Sequence, residues 1–145
     1  MPLTGQIVLA SSSSNAKVLL SAPSGYDLAE RYAFHVSLSY GGQMQASGDV
    51  SDIRVPDSDE TPSLPGYFKR LADDWKGWEG IREWESVDQR LRLGCTTDRT
   101  GHAHLAVSLR GDRFLNPQWE ATVSVVLDVE QRRRVARDIA VYFVD

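Results

Sequence analysis

One cysteine, two methionines and three histidines are all that this 145-residue chain holds of those residue types. The lone Cys95 excludes an internal disulfide and suits a reducing compartment. No apolar run approaches the roughly 20 residues that a membrane span needs. The opening stretch from Met1 to Ser14 carries no basic residue ahead of its short apolar run, so a secretory signal is not expected. Positive charge is also in deficit, with 16 Lys and Arg against 20 Asp and Glu. Phosphate neutralisation needs a basic surface, so nucleic-acid binding is disfavoured as a class. These absences describe a cytoplasmic protein, and the length fits a single domain over residues 1–145.

The negative charge is unevenly placed. Residues 1–62 carry three basic and seven acidic side chains, whereas residues 63–145 carry 13 of each. The surplus concentrates between Asp49 and Glu60, in a polar, proline-containing stretch that reads as a crossover to Pro62. An acidic segment of this kind, with Asp57, Asp59 and Glu60 at its centre, can steer a basic protein partner. It can equally be a solvated loop.

Apolar periodicity defines the elements. Gly5–Ser11 and Ala16–Ser21 are short β-rich runs separated by a serine-rich turn. Phe34, Val36, Leu38 and Tyr40 alternate with His35, Ser37 and Ser39, a half-buried strand. Gly41 and Gly42 are expected to supply the positive-φ residues of a hairpin turn into a return strand over Gln43–Ser47. Ser63 is placed to cap a helix over about 63–76. Leu64, Tyr67, Phe68, Leu71 and Trp75 recur there at spacings of three and four, and Gly77 stops it. Trp119, Ala121, Val123, Val125 and Leu127 mark one face of a later strand. Asp128 with Gln131 reads as a capping box opening a terminal helix over about 128–143. Its apolar stripe is Val135, Ala136, Ile139, Tyr142 and Phe143, and Arg132, Arg133, Arg134 and Arg137 form its solvated face. The expected fold is α+β: an antiparallel sheet of about seven to eight strands with two helices packed against it. No internal repeat is evident.

The hairpin after the tryptophan-rich segment can be registered from its own pattern. Asp98-Arg-Thr-Gly-His102 suits a three-residue loop closed by a left-handed Gly101, with Asp98 facing His102. That register pairs Leu91 with Leu109, Leu93 with Val107 and Cys95 with Leu105. Cys95 then lies among aliphatics, while His102 and His104 emerge on the opposite face beside Thr96 and Asp98. A zinc site built from Cys95, His102 and His104 is therefore not expected, and no cofactor is implied. Asp98 and His102 could be two members of a hydrolytic triad, but no serine elbow accompanies them, and a structural hydrogen bond is the simpler reading. The polar face with Arg92, Asp98, His102 and His104 remains an alternative site for a small ligand or regulator.

Three of the four tryptophans, Trp75, Trp78 and Trp84, fall within ten residues. Trp75 continues a helical stripe and is assigned to the core. Trp78, Arg82 and Trp84 form the candidate partner-binding patch, because interfaces concentrate aromatic residues and arginine in their hot spots. The competing reading is that both rings cap the edge of the core.

The run from Gly66 to Arg110 resembles small actinobacterial proteins that overlap the WapI-type immunity proteins of polymorphic toxin systems. The resemblance rests on Trp75-x-Gly77-Trp78-x-Gly80, then Trp84-x-Ser86, Leu91-x-Leu93, Asp98-x-x-Gly101-His102 and Leu105-x-Val107-x-Leu109-Arg110. It covers about a third of the chain, and most of these positions are packing or turn residues. The sequence departs from the pattern where Gln89 replaces an expected glycine and Val87-Asp88 stands for Leu-Glu. The resemblance implies a non-enzymatic cytoplasmic protein that binds and neutralises a cognate toxin.

Overall fold

The computed structural model describes residues 6–21, 31–53, 63–86, 88–111 and 118–142. Four strands come first, β1 (Ile7–Ala10), β2 (Ala16–Ser21), β3 (Arg31–Tyr40) and β4 (Met44–Ile53), followed by helix α1 (Leu64–Asp73). Four more strands, β5 (Arg82–Glu85), β6 (Leu91–Thr97), β7 (Ala103–Arg110) and β8 (Glu120–Leu127), lead into helix α2 (Val129–Tyr142). The α+β class, the eight antiparallel strands and the two helices are as expected. The strands divide into two four-stranded meanders, each ordered as in the chain. The architecture is thus ββββα twice over.

Alternation makes the strands. Ile7 and Leu9 in β1, Val18 and Leu20 in β2, and Phe34, Val36 and Leu38 in β3 all turn to one face and are buried. Leu91, Leu93 and Cys95 pair with Leu109, Val107 and Leu105 in the register that the sequence specifies, and Val123, Val125 and Leu127 extend that face into β8. Two local expectations need correction. The β3–β4 turn spans residues 41–43 with Tyr40 opposite Met44, and of its two glycines only Gly41 has positive φ. The stretch from Asp49 to Ile53 belongs to β4 rather than to a crossover. Val50 is buried opposite Phe34 and Asp49 meets His35, so the stretch continues the pairing with β3.

Helix α1 is capped as its sequence specifies: Ser63 Oγ accepts from Gly66 N at 3.1 Å, with Pro65 in the first turn. It is shorter than 63–76. The chain leaves the helix at Asp74, and Gly77 reverses it with φ of 102°. Trp75 therefore falls outside the helix and off its stripe. The capping box of α2 is complete, with Gln131 N donating to Asp128 Oδ1 at 2.7 Å and Asp128 N to Gln131 Oε1 at 3.0 Å. Val135 and Ile139 are buried as expected; Phe143 lies outside the described residues.

Both sheets and both helices share one core. Burying side chains such as Phe68 and Leu71 of α1 stabilises the fold by about 2 kcal/mol each. Where α1 meets the two sheets, a void of ≈ 10 Å³ is lined by Leu9, Leu20, Phe68, Leu93 and neighbouring aliphatics. It has the volume of one water and no polar lining, so it is a packing defect.

The four edge strands are each engaged by another element. Arg90 Nη1 donates to Asp49 O on β4 at 2.6 Å, and Tyr67 Oη donates to Arg82 O on β5 at 2.8 Å. On β8, Val126 N donates to Ser11 Oγ and Val126 O accepts from Ser12 N, both at 2.9 Å. Gln131 Nε2 donates to Ala10 O on β1 at 3.0 Å. These contacts stitch the two meanders together and blunt their edges.

Candidate interaction site

The connection from Asp74 to Ile81 carries two exposed large apolar side chains. Trp75 is 47 % and Ile81 63 % exposed. Placement of Trp75 in the core is thereby corrected: with the helix ended at Asp73, its ring projects into solvent, and Lys76 Nζ lies 5.4 Å from the ring centroid. Ile81 stands over the outer face of β6, where Gly94 lacks a side chain. A Cβ there would sit 3.3 Å from Ile81 Cγ2.

Trp78 is the pin of the connection. Its backbone N donates to Thr97 Oγ1 at 3.1 Å, and Thr97 Oγ1 donates back to Trp78 O at 3.1 Å. Its indole Nε1 donates to Cys95 O at 3.2 Å. Arg82 closes over the ring, with its guanidinium carbon 4.4 Å from the centroid, and binds Asp74 Oδ2 at 2.5 Å. Trp78 and Arg82 are consequently brought together and half-buried. Trp84, the third member of the expected patch, is 7 % exposed and part of the core, because it faces inward opposite Leu93. Asp57, Asp59 and Glu60 lie outside the described residues.

Arg132 was expected on the solvated face of α2, and that expectation is corrected: it is 2 % exposed. Its Nη1 donates to Leu71 O at 3.3 Å, and its Nη2 donates to Trp75 O at 3.4 Å and to Gly101 O at 3.0 Å. One side chain thus joins the end of α1, the tryptophan connection and the tip of the β6–β7 hairpin. It satisfies carbonyls that a helix end and a tight turn leave without donors. Its Nε is buried without a partner, and burial lowers its tendency to hold the proton. Arg133, Arg134 and Arg137 are exposed as expected.

The hairpin tip is organised around one carboxylate. Asp98 Oδ1 accepts from Thr100 N at 2.8 Å, Thr100 Oγ1 at 2.6 Å and His102 N at 3.1 Å, while Oδ2 meets His104 Nε2 at 2.8 Å. The Thr100 hydroxyl first, and His104 second, hold the Asp98 carboxyl well below the usual carboxylate range. Gly101 has φ of 86°, as its left-handed assignment requires. His102 does not pair with Asp98 through its ring; His102 Nδ1 meets Thr100 Oγ1 at 2.7 Å instead. Arg92 is held by Glu85 Oε2 at 3.1 Å. The polar face of Arg92, Asp98, His102 and His104 is therefore bonded within itself. Cys95 lies on the opposite face, fully buried, and burial pushes its thiol up to about 12.

A second acid–histidine pair was not singled out in the sequence. His35 Nδ1 meets Asp49 Oδ1 at 2.8 Å across β3 and β4, and Ser21 lies opposite His35 on β2. The period-two pattern placed His35 outward, but recognising Asp49 as its neighbour required knowing that β4 continues past Gly48. No hydrogen bond joins Ser21 Oγ to His35 among the described residues, and the surrounding backbone amides belong to the sheet ladder. Among the same residues no group of three or more His, Cys, Asp and Glu converges on a metal-sized space, and no helix is long and apolar enough to cross a membrane.

The class defined here is an α+β protein of two helix-closed meanders, stitched through arginine and carrying an exposed tryptophan connection at one end. The chain belongs to the family of unknown function DUF6228, whose model matches residues 9–145. No curated protein and no solved structure matches it.

Proposed function

We propose that this protein is a non-enzymatic, cytoplasmic protein-binding domain that neutralises a cognate toxin. The observation that carries the binding part is the exposed Trp75, presented with Ile81 on a connection that Arg132 and Thr97 hold in place. A large aromatic left in solvent on a pinned backbone keeps little freedom to lose, which is how interface hot spots are built. The resemblance of residues 66–110 to immunity-type proteins supplies the toxin. The acidic stretch around Asp57, Asp59 and Glu60 would speed encounter with a basic partner.

The reading of a ligand site on the polar face is less well supported, since Arg92, Asp98, His102 and His104 already bond to neighbours. The engaged edges of all four outer strands favour recognition through side chains over strand addition. The test is co-expression with the product of the neighbouring reading frame. A stable complex and rescue of growth are expected. A neighbouring toxin that kills equally with and without this protein would end the toxin reading.

A further inference from the structure

We infer that the Trp75–Glu83 connection is a docking surface for a basic protein, one whose lysines or arginines flank an apolar patch. The inference rests on the protein-binding reading and names the chemistry of the partner. Around this connection the carboxylates of Asp73, Asp74 and Glu85 are neutralised by Lys69, Arg82 and Arg92 at 2.7, 2.5 and 3.1 Å. Glu79 and Glu83 are exposed and, among the described residues, have no cation partner. They lie two residues to either side of Ile81, the most exposed of the large apolar side chains among the described residues. Alternation along β5 sends Ile81, Glu83 and Glu85 to one face, and Glu85 is already held by Arg92. What the connection leaves open is two exposed apolar side chains: Trp75, with Lys76 over its ring, and Ile81, flanked in sequence by two carboxylates, Glu79 and Glu83, that no cation neutralises among the described residues.

The alternative occupant, a second copy of this chain adding its β5 to this one, is disfavoured by the same residues. Symmetric antiparallel pairing centred on Glu83 or on Trp84 would set Glu83 against Glu83 or against Glu85. Tyr67 also occupies the Arg82 carbonyl on this edge. A basic partner approaching the outer face meets neither obstacle.

The probe is a displayed library of random dodecapeptides selected on the folded protein. Enriched peptides are expected to combine net positive charge with a large apolar residue. Their affinity is expected to fall at least tenfold in Trp75→Ala, Ile81→Asp and the double variant Glu79→Lys/Glu83→Lys, while Asp138→Asn leaves it unchanged. All substituted side chains are solvent-exposed or half-exposed, and urea midpoints confirm folding before affinities are compared. Neutral or acidic peptides, peptides bound equally by the variants, or no enrichment would each overturn the docking surface. The product of the neighbouring reading frame, tested on the same variants, separates the two levels. Binding it undiminished in all of them moves the interface elsewhere and leaves the function standing. Failure to bind it, with peptides captured at this surface, removes the toxin and keeps the surface.

Discussion

Gly48 and Arg90 occupy complementary space: a Cβ on Gly48 would stand 2.7 Å from Arg90 Nη2. The missing side chain lets the guanidinium cross to β4, where Nη1 takes the Asp49 carbonyl while Nε takes the Arg110 carbonyl at 3.1 Å. One arginine thereby bridges both meanders, and Gly48→Ala must displace it. The expected cost is about 1–2 kcal/mol, from disturbing two hydrogen bonds to carbonyls. In an Arg90→Ala background the same substitution is expected to be neutral or stabilising, because alanine favours a strand over glycine once the space is free. Urea midpoints of the four proteins give the coupling. Equal costs in both backgrounds would show that Arg90 is not what the glycine accommodates.

Two positions test left-handed backbone in opposite directions. Gly101 has φ of 86°, so Gly101→Val is expected to destabilise by more than about 1 kcal/mol. Gln89 has φ of 63° in the Ser86–Leu91 turn, where the resembling sequences carry glycine. Gln89→Gly is expected to stabilise by about 0.5–1 kcal/mol, since glycine adopts that conformation without a Cβ penalty. Thermal or chemical denaturation of both variants is sufficient. A destabilised Gln89→Gly protein would mean that the glutamine side chain matters more than its backbone.

Acid should reach the hairpin tip through Asp98. Its folded carboxyl is held below the unfolded value of about 4, so its contribution to stability is full above that value. The contribution is lost as pH falls from about 4 toward the depressed folded value. Asp98→Asn is expected to have a shallower decline of stability across that window than the wild type. Parallel pH–stability curves would show that the Thr100 and His104 contacts do not survive in solution.

The legible part of this fold was the part fixed by near neighbours. The β6–β7 register followed from aliphatic alternation and one turn, and the Asp128–Gln131 capping box needed four consecutive residues. The two Asp49-dependent features, the end of β4 and the His35 contact, were hidden because a largely polar run in an edge strand reads as loop. Trp75 kept the spacing of the α1 stripe but fell one step past the point where the backbone left the helix. Arg132 looked like its three exposed neighbours, because the carbonyls that bury it come from Leu71, Trp75 and Gly101, far away in sequence. The candidate patch was half legible for the same reason: Trp78 and Arg82 stack, while Trp84 points inward on the strand that carries it.

That same arginine gives the furthest-reaching expectation for stability. Arg132→Ala removes the donors to three carbonyls at once and leaves a gap between α1, α2 and the hairpin tip. A loss of about 2–4 kcal/mol is expected. Arg132→Met refills much of the volume without the donors, so its loss should be smaller, and the difference between the two separates packing from hydrogen bonding. Cys95 reports the local consequence. In the wild type its thiol is buried and pushed up to about 12, so it should react with a thiol reagent only through opening. In Arg132→Met the tryptophan connection loses the bond at Trp75 O while Trp78 still covers the Cys95 carbonyl. Thiol labelling is therefore expected to accelerate more than the change in global stability accounts for. Labelling that tracks global unfolding alone would show that Arg132 stabilises the molecule as a whole without governing how this connection opens.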